Sequence, residues 1–401
     1  MKKINLLAIS MGIVAALLPA SSAFAASWDE TVANAQGDTV FWNAWGGDER
    51  TNSFIAWVGS QMESRYGVTV RHVKLSDTAE AVARVIAEKT AGRDDDGSVD
   101  LIWINGPNLL SMKQNDLLHG PFTSDLPNYR YVDTVNKPSN VVDFTLPVDG
   151  MAAPWRLAQI VFVYDSGKVA VIPNSIPSFL EWAKDNPGRF AHPDIRDFLG
   201  VTFLKQALYE LAVDPQVLQA PATDENFAEV TAPLWAWYDE LKPHLWRGGR
   251  QFPQSGPAAR QLLSDSEIDM LISFDPAEAA AWVTSGLAPE TVRTFTLEKG
   301  TIGNTSFVAI PYNSGSKDAA MVLADFLLEP ATQARAQDIT HLGSFTVLDL
   351  DKLDENQRHL FDEIPSSLAL PTNEDLRLAL PEPHASWMTR IADEWMRRYI
   401  N

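Results

Sequence analysis

The chain of 401 residues carries 52 acidic and 32 basic side chains, so its formal net charge at pH 7 is −20. A surface of this charge repels nucleic acid and anionic lipid, and we expect neither as a partner. The chain contains no cysteine, which excludes disulfide bonds and a lipid anchor attached to cysteine. Its length exceeds what one domain usually holds and favours two domains.

The first 25 residues have the pattern of a cleavable secretory signal. Two lysines precede an apolar segment over residues 6–18, and residues 23–25, Ala-Phe-Ala, have the small side chains of a cleavage site. The apolar segment is too short to be favoured as a membrane span. We therefore expect cleavage after Ala25, a periplasmic location, and no stable membrane anchor on residues 26–401.

Residues 39–48, Thr-Val-Phe-Trp-Asn-Ala-Trp-Gly-Gly-Asp, predict a buried strand, a glycine turn and the start of a helix. β-branched and aromatic side chains favour the strand, and the two glycines permit a close turn. Asp48, Thr51, Asn52 or Ser53 can cap the helix. Strand, turn and helix N-terminus in this order often hold a ligand in open α/β sheets. The same pattern fits a simple tight turn beside a partly buried Trp45 equally well.

Two further strand–turn–helix units follow, with strands over residues 68–73 and 99–104. Successive units of this kind predict a parallel sheet, whose strand C-termini meet at one edge. Amides, one acid and one aromatic ring at this edge suit a small polar molecule. The candidate ligand-binding residues in these loops are Asn43, Trp45, Gly46, Gly47, Asp77, Asn105 and Asn108.

Three further candidates come from the middle of the chain, where we expect it to leave the first lobe near Pro154. Trp155 offers a face for stacking, Arg156 a partner for an anionic group, and Asp275 a partner for a cationic one. Each has an equally plausible structural role. Trp155 and Arg156 can pack at a hinge, and Asp275, which precedes Pro276, can cap a helix.

Five stretches, taken in order, resemble the family of extracellular solute-binding proteins that serve ABC importers. They are residues 42–47, 99–108, 153–165, 179–190 and 307–311. The resemblance implies an α/β fold of the two-lobe periplasmic-binding-protein type (type II), with the ligand cleft between lobes joined by crossing strands. It places residues 26–153 and 274–311 in the N-terminal lobe, and residues 154–273 and 312–401 in the C-terminal lobe.

The same resemblance implies a substrate-binding component of an ABC transporter, which delivers its solute to the permease subunits in the membrane. We expect a small polar organic solute, either sugar-like or cationic in the manner of thiamine or a polyamine, and no metal or cofactor. Iron-binding members of the family use adjacent tyrosines, and this sequence has no Tyr-Tyr pair. The high charge and the absence of cysteine are compatible with a monomer.

The alternative function is a secreted enzyme, such as a glycosidase that uses two carboxylates. The seven histidines never fall three to five residues apart, so no local zinc pair exists, and the Gly-x-Ser-x-Gly motif of many hydrolases is absent. Asp77 and Asp275 both follow predicted strands and form the carboxylate pair to examine. We expect a binding protein without catalytic activity.

Overall fold

The computed structural model describes residues 27–376 and 378–400, so the predicted signal sequence and its cleavage site lie outside the described residues. Helices and strands alternate along most of the chain. In chain order they are α1 (Trp28–Ala35), β1 (Thr39–Trp45), α2 (Glu49–Tyr66), β2 (Thr69–Leu75), α3 (Ala79–Thr90), β3 (Leu101–Ile104), α4 (Pro107–Gln114), β4 (Val142–Asp143), β5 (Leu146–Pro147), β6 (Ala152–Gln159), β7 (Val161–Asp165), α5 (Ile176–Asp185), β8 (Phe190–Ala191), α6 (Phe198–Leu211), α7 (Phe227–Leu241), α8 (Gly256–Ser264), β9 (Met270–Ser273), α9 (Glu278–Thr284), β10 (Val292–Phe295), β11 (Thr301–Ala309), α10 (Lys317–Leu327), α11 (Pro330–Gln337), α12 (Glu355–Asp362), α13 (Asn373–Leu376), β12 (Ala379–Leu380) and α14 (Ala385–Tyr399). No helix among these residues is long and apolar enough to cross a membrane.

The strands form one sheet in each of two lobes and a separate small hairpin. The first sheet has the order β12-β11-β3-β1-β2, and β6 pairs with β11. The second sheet has the order β10-β7-β9-β8, and β4 pairs with β5. In the first sheet β1 runs parallel to β2 and β3, as the three strand–turn–helix units predict. The structure therefore confirms the α/β fold with two lobes.

The first of these units follows the sequence signals closely. β1 ends at Trp45, and Asp48 caps α2 by accepting hydrogen bonds from the backbone N–H groups of Arg50 at 3.1 Å and Thr51 at 3.2 Å. Gly67 ends the helix in the left-handed conformation, at φ 66°. The residue that caps α2 is thus one of the four candidates.

Two lengths of chain cross directly between the sheets. Ile160 alone separates β6 of the first sheet from β7 of the second, and the chain returns from β10 into β11. β6 and β11 are antiparallel partners over seven residues, from Ala152 opposite Ala309 to Gln159 opposite Gly303. The crossing strands that the family resemblance implies are therefore hydrogen-bonded to each other.

The lobe boundaries differ from the expected ones in two places. Residues 292–295 form β10, which pairs with β7, so the chain returns to the first lobe about 25 residues later than residue 274. The segment after residue 312 also begins in the first lobe, because α10 packs against α1 and buries its apolar residues in the core around β1. The apolar face of α10 in the sequence predicts that this helix packs against a core. It does not predict which of the two sheets the helix packs against.

Four aromatic side chains fill the centre of the first lobe beside the crossing. Trp155 is 1% exposed, and its ring centroid lies 5.0 Å from that of Trp103, 5.9 Å from that of Trp42 and 6.3 Å from that of Phe54. This packing corrects the expectation that Trp155 stacks on a solute. The ring lies in the core of the first lobe, which agrees with the alternative expectation that Trp155 packs at the hinge.

Replacing Trp155 should therefore affect folding far more than replacing Trp45. We expect Trp155→Ala to lower the free energy of unfolding by about 3–5 kcal/mol, because it leaves a large cavity. The half-buried Trp45 at the strand end should cost about 1 kcal/mol or less when changed to Ala. Urea unfolding followed by circular dichroism measures both, and equal losses would contradict the core role of Trp155.

Candidate functional site: a cleft between the lobes

A cavity of about 480 Å³ lies between the lobes, at the edge of the first sheet where β1 and β2 end. Both lobes line it, as a cleft that closes on a solute requires. The first lobe contributes Trp45, Gly46, Gly47, Lys74, Leu75, Ser76 and Asp77, and the second contributes Asp194, Arg196, Asp197, Gln254 and Ser255.

The glycine turn allows the ring of Trp45 to lie against the backbone at the mouth of the cleft. A Cβ atom on Gly47 would lie 2.5 Å from the Trp45 ring, and one on Gly46 would lie 2.7 Å from the Cβ of Lys74. Backbone hydrogen bonding fixes the turn, since the N–H of Gly46 donates to the carbonyl of Leu75 at 3.1 Å. Neither glycine can be replaced without moving Trp45 or the end of β2.

Two carboxylates that line the cleft lack a cationic partner among the described residues. Asp77 is exposed and accepts a hydrogen bond from the backbone N–H of Ala79 at 2.8 Å. Asp197 caps α6 by accepting from the N–H of Leu199 at 2.8 Å, and burial raises its pKa to about 6. The carboxylates stand on opposite walls, one from each lobe.

The remaining acid of the cleft is neutralised by its neighbour. Arg196 donates two hydrogen bonds to the carboxylate of Asp194, at 2.8 and 2.9 Å. These hydrogen bonds lower the pKa of Asp194 and keep the pair ionised. The amino group of Lys74 is the other positive charge on the cleft wall. The cleft therefore presents two acids that are not in ion pairs and one lysine.

Two predicted site residues, Arg156 and Asp275, lie at the crossing, where their side chains bind each other. The Nη2 of Arg156 is 2.6 Å from the Oδ2 of Asp275, and the hydroxyl of Ser344 donates to the same oxygen at 3.2 Å. The guanidinium also lies 5.4 Å from the ring centroid of Trp103. This pairing corrects the expectation that each charge meets a charge on the solute.

A second ion pair joins the lobes beside the first. Arg50, in the first turn of α2, lies 3.7 Å from Glu278 in the first turn of α9. Burial raises the pKa of Glu278 to about 7, and it also raises the pKa of Asp275, although Arg156 opposes that shift. A pKa of about 7 leaves Glu278 partly protonated at neutral pH.

The three predicted asparagines are placed outside the lining of the cleft. Asn43 is fully buried in the sheet, where its amide donates to the carbonyl of Phe41 at 3.1 Å and accepts from Arg84 at 3.3 Å. Asn105 is half-buried and donates to the carbonyl of Thr305 at 3.2 Å. Asn108 is half-buried in the first turn of α4. Of the predicted loop residues, Trp45, Gly46, Gly47 and Asp77 line the cavity, whereas the three asparagines do not.

Most of the second-lobe wall was missed from the sequence. Asp197 and Ser255 carry the signal of a helix cap, since each precedes a helix and accepts a hydrogen bond from its first turn. Nothing in the sequence places these caps opposite Trp45. Their role in the cleft follows only from the way in which the crossing strands orient the lobes.

Comparison with known proteins agrees with this architecture. Residues 57–348 match the family described as bacterial extracellular solute-binding protein. The chain is 40% identical over 375 residues to Protein YnjB of Escherichia coli (strain K12), covering 94% of each protein.

Solved structures show the same fold at low sequence identity. The Tp0655 (TpPotD) lipoprotein of Treponema pallidum superposes with a TM-score of 0.64 at 15% identity, covering 90% of this chain and 99% of that one. The spermidine/putrescine ABC transporter substrate-binding protein PotD of Streptococcus pneumoniae superposes with a TM-score of 0.61 at 13% identity, covering 90% and 98%. The family resemblance in the sequence is therefore confirmed: this chain belongs to the bacterial extracellular solute-binding proteins and has the two-lobe fold of periplasmic binding proteins.

Proposed function

We propose that this protein captures a small polar organic solute with a positive charge in the cleft between its lobes, and delivers it to the permease subunits of an ABC importer. The observation that carries the proposal is the arrangement of Trp45 and Asp77 on one wall and Asp197 on the other. The volume of about 480 Å³ lies within the range of small-molecule sites. Family membership supports a location outside the cytoplasmic membrane, which agrees with the expected signal sequence.

The cleft residues favour a cation for two physical reasons. A cation held against the face of a tryptophan gains about 2 kcal/mol when water is removed. The carboxylates of Asp77 and Asp197 can contact the same positive charge on a solute only when the cleft is closed. The solute therefore binds the closed form more tightly than the open form, and this difference shifts the hinge equilibrium. A permease can then recognise the closed form.

The structural neighbours are compatible with this solute class. One of them carries the name spermidine/putrescine ABC transporter substrate-binding protein, and spermidine and putrescine are small organic amines. At 13% identity this likeness supports only the fold of the present chain. The solute class is inferred from the chemistry of the cleft. A sugar-like solute is the alternative, because Ser76, Gln254 and Ser255 offer neutral hydrogen-bonding groups.

A thermal-shift screen of residues 26–401 tests the solute class. The panel contains spermidine, putrescine, thiamine, maltose, fructose 6-phosphate and glutamate. We expect an amine to raise the melting temperature in a saturable manner, since a ligand at a hundred times its dissociation constant adds about 2.7 kcal/mol to stability. A shift with the sugars alone would contradict the cationic solute and favour the sugar-like one.

Variants of the cleft test the site itself. Asp77→Asn should weaken amine binding by about tenfold or more, because it removes a charge-assisted contact, and Trp45→Ala should also weaken it. Matched controls are Asp224→Asn, an exposed acid paired with Arg390, and Trp246→Ala, a half-buried indole of the second lobe. Isothermal titration calorimetry measures each affinity. Unchanged affinity in both cleft variants would place the solute elsewhere, and chemical change of the solute would indicate an enzyme.

The raised pKa of Glu278 predicts a pH-dependent contribution to stability. The folded protein keeps this proton up to about pH 7, whereas the unfolded chain releases it near the ordinary value of 4.5. Between these values the folded state binds more protons, so stability falls as the pH rises. The loss is at most about 3 kcal/mol, because water still reaches about a fifth of the side chain.

Urea unfolding of the wild type and of Glu278→Gln between pH 4 and 8 isolates this contribution. The glutamine does not titrate, so the wild type should lose stability relative to the variant as the pH rises from 4.5 to 7. Glu181→Gln, on an exposed acid paired with Lys184, is the matched control for replacing a glutamate by glutamine. A difference between wild type and Glu278→Gln that does not depend on pH would contradict the burial of this acid.

A further inference from the structure

A second charged cluster lies buried at the boundary of the lobes and does not line the cleft cavity. Its centre is Lys205 of α6, which is fully buried, with its Nζ 2.6 Å from the Oε2 of Glu382. The other oxygen of Glu382 accepts a hydrogen bond from the amide of Asn304, on the crossing strand β11, at 3.0 Å. One ammonium thus links a helix of the second lobe to both the crossing strand and the segment before α14.

The first lobe reaches the same ammonium through the tip of the β4–β5 hairpin. The ring centroid of Phe144 lies 4.6 Å from the Nζ of Lys205, and that of Phe198, at the start of α6, lies 5.0 Å away. Phe144 is buried, and its backbone has a φ of 45°, which is followed by a φ of 69° at Thr145. A bulky residue in this conformation costs about 1–3 kcal/mol and persists only where its contacts compensate.

The hairpin is also tied to the turn that follows β3. The backbone N–H of Gly106 donates to the Oδ2 of Asp143 at 2.6 Å, and a Cβ on Gly106 would lie 3.2 Å from the Phe144 ring. Burial raises the pKa of Asp143 well above its ordinary value.

We propose that Lys205 is a positioning residue of the interlobe cleft, whose buried ammonium joins α6 of the second lobe to the hairpin of the first and thereby sets how far the lobes close. α6 begins directly after Asp197, which lines the cleft, and two helical turns separate that cap from Lys205. A helix transmits displacement over this length, so holding Lys205 holds the second-lobe wall. The proposal concerns closure itself and does not depend on which solute binds.

The choice of variants follows from the burial of the pair. Removing Lys205 alone leaves Glu382 charged and buried without its partner, which is strongly destabilising. The double variant Lys205→Met/Glu382→Gln removes both charges and keeps similar volume. Phe144→Asn is a second variant, because asparagine tolerates a positive φ and the change removes the ring beside the ammonium without touching Lys205 or Glu382. The exposed pair Lys184→Met/Glu240→Gln is the matched control.

The absence of native cysteine allows the lobe separation to be measured directly. Ser60→Cys on α2 and Gln261→Cys on α8 are both exposed, and spin labels on them report the distance between lobes by double electron–electron resonance. The measurement is made on residues 26–401 without solute, so its failure is distinct from a failure of the proposed function. Circular dichroism checks that each variant is folded.

We expect both test variants to shift the distance distribution towards longer values, with the ratio of short-distance to long-distance populations falling by about tenfold in the double variant. The control pair should leave the distribution unchanged. If the double variant folds with the wild-type distribution, Lys205 does not set closure and the proposal is wrong. If the double variant does not fold, Phe144→Asn decides in the same way.

Discussion

The antiparallel pairing of β6 with β11 is the constraint on which the rest of the structure depends. These strands are hydrogen-bonded over seven residues in the first lobe, and each continues at its other end into the second sheet. Because the two crossings are fixed side by side, they set how the second lobe faces the first. At the edge where β1 and β2 end, Trp45 and Asp77 face the caps of α6 and α8. The position of the cleft therefore depends on the pairing of β6 with β11, two strands that do not line it.

Charges near this crossing are distributed in two ways. At the hinge they are paired and poorly exposed, as in Arg156 with Asp275 and Lys205 with Glu382. In the cleft, Asp77 and Asp197 have no ion-pair partner among the residues described. Buried pairs contribute little net stability but are costly to separate, which suits contacts that define a geometry. Acids that are not in ion pairs suit contacts with a ligand. The paired charges at the hinge therefore suit the positioning of the lobes, and the two acids of the cleft suit the binding of a solute.

The local features of the first lobe could be predicted from the sequence, because they depend on neighbouring residues. Composition and glycine placement identified β1, the turn at Gly46 and a set of caps that includes Asp48. Features that depend on distant pairing could not be predicted in this way. Trp155 lies in a strand next to Arg156, and only the register with β11 shows that the ring faces the core while the guanidinium reaches Asp275. The short strand β10 and the packing of α10 in the first lobe were missed for the same reason.

The central claim, that the solute binds between the lobes, is tested most directly by backbone hydrogen exchange with and without a saturating amine from the panel. The account predicts simultaneous protection of residues 45–49 and 75–79 in the first lobe and of residues 194–199 and 254–258 in the second, because both walls of the cleft lose water together. Protection confined to one lobe, or to the surface groove lined by residues 49–63 of α2 and 69–74 of β2, would contradict it.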